Sequence, residues 1–353
     1  MSRNLVPRVD KGADLGTQLK NWNKLYVDAV ILRNKNLQTL LDGKTDLETL
    51  TNKGDLYVAT NAGEVTRLPA GTDGYVLKAN SGVPEGLMWG PAGARQELTG
   101  DITVTVGDNG DFPTINAALE NIVALYYPKY ISGDNCPRVN INLLPDFVMN
   151  EQVLVESLDL SWITITGNDE ETIINRSALN INFYASYPPF GVVNGGTLPI
   201  IGQLFNMNTT GDSSNRDGVF VLSCSSAIIL RNCGIKNAGR RGLTARYSSI
   251  IEANEAIFSG AGEAGIYAFR SSIINANGAN ASGAGQRGVW ASHGSIINAY
   301  GANISGAGLY GASSELNSII TAALSDASNA EDYGFYVYGG SFICAEGATG
   351  TLS

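Results

Sequence analysis

Carboxylates are the first residues to weigh for chemistry in this chain, and their spacing is informative. A retaining glycosidase needs two carboxyl groups about 5 Å apart. Strands stacked at about 4.8 Å would supply that separation if acids shared a register on neighbouring coils. The chain carries a 23-residue repeat, set out below, so one repeat beyond Glu252 stands Asn275, beyond Glu255 Gly278, beyond Glu263 Gln286, beyond Glu315 Tyr338 and beyond Asp326 Thr349. No acid pair arises in register. Off-register pairs, the acids Asp212 and Asp217, and a site shared between subunits stay open. His293 is the only histidine, so a Ser-His-Asp triad would have to use it. It shares its register with Tyr247 and Arg270, which reads as a turn at a surface corner. No catalytic residue is assigned.

Other motifs dissolve on inspection. The string GxGxxG occurs at Gly260, Gly262 and Gly265, at Gly283, Gly285 and Gly288, and at Gly306, Gly308 and Gly311. A nucleotide fingerprint needs a helix after the glycines; here each string leads into another strand, and the glycines read as turns. Cys136, Cys224, Cys233 and Cys344 fit no metal spacing and no dense disulfide framework, and read as free thiols. Cys233 keeps register with Ala256, Ala279 and Ala302, an inward position. No cofactor and no metal is expected.

The aromatic residues carry more. Tyr267, Trp290 and Tyr336 share one register, and Phe269 and Tyr338 share the register two residues later. Alternation turns all five outward, where an aromatic patch marks an interface. Sugar rings stack on such faces, with Arg270 and His293 placed to donate hydrogen bonds; identical chains packing there would use the same rings. Both readings stand. Stacked amides are expected at Asn275 and Asn298 and at Asn280 and Asn303, as structural ladders. The outward Ile250, Ile273, Ile296, Ile319 and Phe342 are too apolar for open water, and read as a corner tucked into the core or a second subunit contact.

These positions are set by the repeat. Ser249-Ile250-Ile251, Ser272-Ile273-Ile274, Ser295-Ile296-Ile297, Ser318-Ile319-Ile320 and Ser341-Phe342-Ile343 recur every 23 residues, in step with Gly242 to Gly334 and Ala253 to Ala345. A period in the twenties marks a solenoid. Short β-branched runs between Gly, Ser and Asn make its coils strands. Leu243, Ile266, Val289, Ala312 and Phe335 are then inward, and Thr244, Tyr267, Trp290, Ser313 and Tyr336 outward. The fold class is all-β dominated: a right-handed parallel β-helix with about three strands per coil, over 131–353.

Composition agrees. The 353 residues are 44% hydrophobic and 16% charged, with 42 glycines, which is not a disordered composition. A net charge of −10 argues against nucleic acid as partner, since a binder needs a basic stripe. No window has the roughly 18 apolar residues of a membrane span, and the first residues lack the apolar core of a signal peptide. Synthesis in the cytoplasm and no membrane insertion are expected.

The first 130 residues are organised differently. An arm and helix region over 1–53 includes an amphipathic stripe, Leu19, Trp22, Tyr26 and Leu32, predicting a helix over 17–33. Thr45 and Glu48 spell a capping box for a second helix. Over 54–93 short strands and turns form a small β module of hairpins. A linker and capping helix fill 94–130, with Thr114 as N-cap and Pro128 just past the end. Runs at 139–143, 152–155 and 162–166 read as the three strands of a first full coil, and 176–217 as a lateral loop.

Three quoted parts of the small module, Gly54-Asp55-Leu56-Tyr57-Val58, then Arg67-Leu68-Pro69 through Ala79, then Gly86-Leu87-Met88-Trp89, resemble a module of bacteriophage tail-fibre proteins. The Gly110-Asp111-Phe112-Pro113-Thr114 turn and its helix are similar to the entry of pectate-lyase-like β-helices and phage tailspikes, where the helix plugs the open first coil. This resemblance covers about 54–175 by motif and the rest by architecture. It implies a homotrimer, with the 17–33 stripe as trimer junction, the N-terminus docked on a phage baseplate or tail protein, and a β-helix contacting host-surface polysaccharide or carrying a distal tip protein. It implies a virion location in the phage tail. The alternative it carries is a polysaccharide depolymerase, an endoglycosidase or lyase. Strand edges at 342–353 are expected to be covered by sister chains or another protein.

Overall fold

Within the repeat, apolar and small polar residues alternate over runs of three to six residues, which suits a strand with one buried face and is too short for a helix. We describe the protein from a computed structural model covering residues 31–32, 35–36, 50–61, 64–73, 75–91, 95–129, 136–167, 170–208 and 215–351. It divides after Gly93 into two compact units.

The second unit is an all-β parallel solenoid. One four-stranded sheet stacks Ile102–Val106, Val139–Leu143, Ile163–Thr166 and Ile200–Gly202; another stacks Val148–Met149, Thr172–Ile174, Leu204–Asn206 and Gly234–Lys236. The longest sheet has eight strands: Val153–Glu156, Phe190–Val193, Val219–Leu222, Arg241–Arg246, Ala264–Phe269, Arg287–Ser292, Tyr310–Glu315 and Tyr333–Tyr338. A six-stranded sheet runs from Ser226–Ile228 to Phe342–Cys344. Along the longest sheet Val153 pairs with Phe190, Phe190 with Val219 and Val219 with Leu243, at irregular intervals. From Leu243 onward the partners are Ile266, Val289, Ala312 and Phe335, each 23 residues on.

Interior side chains follow the alternation. Leu243, Ile266, Val289, Ala312 and Phe335 are buried, as are Ala253, Ala276, Ala299 and Ala322. In the earlier coils the interior is bulkier, with Phe190 against Phe205 at 5.0 Å between ring centroids and Met149 and Met207 fully buried. Glycine closes the regular coils tightly: a Cβ on Gly288 would lie 2.6 Å from the carbonyl oxygen of Gly311 and 2.7 Å from the Cβ of Ile304. Serine holds the corners. The amide of Ser249 donates to Ser272 Oγ, that of Ser272 to Ser295 Oγ and that of Ser295 to Ser318 Oγ. The hydroxyls of Ser249, Ser272 and Ser295 each donate to a carbonyl three residues back, Ser272 to Phe269 for one. Buried hydroxyls are thereby satisfied, which is what burial requires of them.

A helix, Ile115–Leu125, packs Ile115, Ala118, Leu119 and Ile122 against this core. Thr114 caps it by accepting from the Ala117 amide. Glu151, distant in sequence, accepts from the amides of Ile115 and Asn116 at 2.6 and 2.9 Å, placing a carboxylate at the positive helix end. Burial pushes the Glu151 carboxyl above its ordinary range despite those two amides.

Several expectations need correction. Ile102–Val106 pairs with Val139–Leu143, so the solenoid begins before residue 131. Ile163 stacks on Val139, which makes Ile163–Thr166 the opening of a new coil and not the third strand of the first. Phe190–Val193, Ile200–Gly202 and Leu204–Asn206 are sheet strands, so 176–217 is no lateral loop; unequal coil lengths hide its strands from a periodicity search. Asn280 and Asn303 pair only through backbone, and each carboxamide oxygen accepts from the serine two residues on. Asn275 and Asn298 do form a ladder, Asn298 donating to Asn275 and Asn275 to Glu252.

In the first unit, Leu56–Asn61 pairs antiparallel with Glu64–Leu68, and Tyr75–Ala79 with Leu87–Pro91. The motif residues of this module hold one another. The buried Asp55 carboxylate accepts from the amides of Thr51, Asn52 and Ala70 and pairs with Arg67 Nε at 2.7 Å. Burial alone would raise its pKa, but these donors outweigh it and hold the carboxyl below its ordinary value. Trp89 Nε1 donates to the Pro69 carbonyl, and a Cβ on Gly71 would meet the Trp89 ring at 2.6 Å. Ile31–Leu32 pairs antiparallel with Lys35–Asn36. A helix cannot therefore run through Leu32, whose backbone is committed to a strand. Leu19, Trp22, Tyr26, Thr45 and Glu48 lie outside the described residues.

Candidate binding face

The outer face of the eight-stranded sheet brings together most of the residues singled out in the sequence. Thr244, Tyr267, Trp290, Ser313 and Tyr336 are neighbours in register. So are Arg246, Phe269, Ser292, Glu315 and Tyr338 on the next outward row. Tyr267 and Trp290 lie 4.5 Å apart between ring centroids, and Tyr267 and Phe269 stack at 5.9 Å.

These rings are not bare. Tyr267 is only 5% exposed, although alternation points it outward. The cover is guanidinium: Arg241 lies 4.1 Å above the Tyr267 ring and 5.6 Å from Trp290, and Arg287 lies 4.1 Å above Trp290 and 5.7 Å from Tyr310. Long cationic side chains can fold their stems over apolar surface and keep a charged head at the rim. Carboxylates then fix the heads, Glu263 on Arg241 at 3.0 Å and Glu315 on Arg287 at 3.5 Å. Ser313 Oγ donates to Glu315 at 2.7 Å. Burial pushes the Tyr267 hydroxyl up to about 12, against the opposing pull of Arg241 and Arg246.

A second group sits where these strands end. Arg246 lies 5.4 Å from the Tyr247 ring and 5.1 Å from Phe269; Arg270 lies 5.0 and 5.1 Å from the same two rings. His293 meets Phe269 edge-on at 4.7 Å, and its Nδ1 is 2.7 Å from Ser292 Oγ. Tyr247, Arg270 and His293 all have left-handed backbone, at φ 58°, 52° and 56°. Such a conformation costs a non-glycine residue roughly 1–3 kcal/mol, and it turns each side chain off the corner into solvent. His293 is thus a surface corner residue, exposed as its register implied.

The remaining site residues are placed apart. Tyr336 stacks on Tyr310 at 4.4 Å and 7°. Tyr338, in the same outward row as Phe269, is 58% exposed. The outward isoleucines are not tucked in: Ile250, Ile319 and Phe342 are 49%, 44% and 60% exposed, and Ile273 and Ile296 half-buried. Of the two loop acids, Asp217 is buried and held by Arg240 through Nε at 2.9 Å and Nη2 at 2.6 Å, while Asp212 lies outside the described residues. Cys136, Cys224, Cys233 and Cys344 form no disulfide with one another. Burial raises the pKa of Cys233, which packs against the core. Among the described residues, no cluster of His, Cys, Asp and Glu is placed to hold a metal ion, and no helix is long and apolar enough to cross a membrane.

Arg241, Arg246, Arg287, Tyr247, Tyr310 and Glu263 were missed by reading the aromatics alone. For Arg241, Arg287 and Tyr310 the signal was present in the repeat, since Arg241, Ala264, Arg287, Tyr310 and Tyr333 fall 23 residues apart in a single register. No protein-family model matches the chain, and no curated protein matches its sequence.

Proposed function

We propose that the protein is a structural and adhesive fibre subunit of the phage tail-fibre or tailspike kind, a right-handed parallel β-helix of 23-residue coils that displays a glycan-binding face. Right-handedness follows from the general rule for parallel crossovers. The observation that carries the reading is the outer face of the long sheet: aromatic rings, guanidinium groups and carboxylates ordered in register over successive coils. Sugars offer flat apolar ring faces and dense hydroxyls, which such rings and charged groups complement. The two carboxylates of that face, Glu263 and Glu315, are engaged by Arg241 and Arg287, which favours binding over hydrolysis.

In this reading three chains run in parallel, with the 1–53 region on a baseplate or tail protein in the virion. The covered aromatic face suits a ligand, and the bare isoleucine row suits the sister chain. Light scattering of the full chain should give a trimer, and Ile319→Asp should break it. Trp290→Asp should leave the trimer and abolish capture of bacterial surface polysaccharide. A trimer lost with Trp290→Asp and kept with Ile319→Asp would reverse the assignment of the two faces. New reducing ends or unsaturated products after incubation with that polysaccharide would replace the adhesive reading by the lytic one.

A further inference from the structure

The guanidinium groups of the outer face fall into two kinds. Arg240, Arg241 and Arg287 are each neutralised, by Asp217, Glu263 and Glu315. Arg246 and Arg270 are not: among the described residues no carboxylate lies within ion-pairing distance of either, yet both lie within 5.4 Å of the centroids of the same two rings, Tyr247 and Phe269. Two like charges gathered on one aromatic pair repel each other unless an anion joins them. Over the whole chain acids outnumber bases, 33 to 23, so this corner is a local reversal of sign. A second observation points the same way. Arg246 Nε is buried without a hydrogen-bond acceptor, as are Arg241 Nε, Arg287 Nε and Trp290 Nε1 on the adjoining surface. All four are donors that cannot accept; of the other unpartnered atoms nearby, Thr244 Oγ1 and Ser314 Oγ can do either, so donors outnumber acceptors on this surface.

We infer that the corner formed by Arg246, Arg270, Tyr247 and Phe269 binds the carboxylate of an acidic sugar, and that the adhesive face selects uronate-bearing polysaccharide over neutral polysaccharide. The inference rests on the adhesive reading of the same face. A planar carboxylate matches the guanidinium fork. The ring carrying it would lie against Tyr247, which is 37% exposed, with exposed His293 at the margin. Left-handed backbone at Tyr247, Arg270 and His293 turns these groups toward the same corner.

The test is calorimetric titration of the full chain at low salt with oligogalacturonate and with a neutral dextran oligomer of equal length. Oligogalacturonate should bind and weaken with added salt, as contacts between exposed charges do. Arg246→Gln with Arg270→Gln should weaken it about tenfold or more, as loss of charged bidentate contacts does. Arg270→Gln alone, at an exposed position that leaves the fold untouched, should give an intermediate loss. Dextran binding equal to that of oligogalacturonate, unaffected by the substitutions, would overturn the anionic class and leave the adhesive reading intact. Binding of neither oligomer, together with a trimer broken by Trp290→Asp, would overturn both. Inorganic phosphate that displaces oligogalacturonate as effectively as free galacturonate does would overturn the assignment to a sugar.

Discussion

The first three strands of the long sheet and the five that follow share one geometry and finish it in opposite ways. Over Val153–Glu156, Phe190–Val193 and Val219–Leu222 the outer face is closed by the chain's own apolar side chains. Phe183 lies edge-on to Phe220 at 6.2 Å and packs with Val193 and Leu222 in a satellite core, so tightly that a Cβ on Gly191 would meet its ring at 2.8 Å. Over Arg241–Arg246 and the later strands the outer face is closed by guanidinium groups on rings. The interiors differ too. One inward row reads Val155, Val192, Val221 and then Ala245, Ala268, Ala291. An apolar lid extends the core outward, whereas a lid of guanidinium groups covers the rings and presents charge at the surface. The irregular coils thus close their outer face with apolar side chains, and the regular ones close it with charged groups, the face to which the proposed binding role is given.

Four measurements would sharpen or break this contrast. Phe205→Ala removes the partner of Phe190 from the bulky interior and should cost about 3–5 kcal/mol by chemical denaturation; a cost below about 1 would deny that the early coils are packed around these rings. Next comes pH. The Tyr267 hydroxyl is held by burial at about 12, above the ordinary value near 10. The unfolded chain therefore loses its proton first, and stability should fall between about pH 10 and 12, by about 2–3 kcal/mol. Tyr267→Phe should flatten that fall, and an unchanged profile would mean the ring is not covered. Third, Ala268→Leu inserts bulk where the inward row has narrowed to alanine, and should cost about 1–3 kcal/mol. The same residue pattern offers a check, because Val221→Ala errs in the opposite sense, leaving a void. Smallest is Arg241→Met, which keeps the stem over Tyr267 and removes the charge. It should cost about 1 kcal/mol from the cation–π contact and the partly exposed ion pair with Glu263, with the effect shrinking in salt.

How far the sequence reveals this molecule depends on which half is read. Where coils are equal in length, Ser249, Ser272 and Ser295 repeat because each fills the same hydrogen-bonded corner, and inward and outward residues separate by alternation alone. Where Val153, Phe190 and Val219 are separated by unequal stretches, nothing recurs at a fixed interval and strands such as Leu204–Asn206 pass for loop. In the site, direction was legible and cover was not. Alternation aims Tyr267 outward, but its burial depends on the long side chain of Arg241, two strand positions before Leu243 on the neighbouring coil. The ion pair of Asp217 with Arg240 was out of reach for a similar reason: it joins one coil to the next across the sheet edge.

The backbone hydrogen bonds of the solenoid point from each coil to the next, and so do the serine contacts at its corners. Tension between the two ends of the regular region therefore falls on these layers in series, and each layer bears the whole load. The weakest gives way first, then its neighbour, so extension in an optical trap should proceed in equal steps of one coil and not in a single cooperative rupture. A pull across the axis meets a different material, because it must break many layers at once. Such a protein is stiff and strong sideways and can yield by degrees along its length.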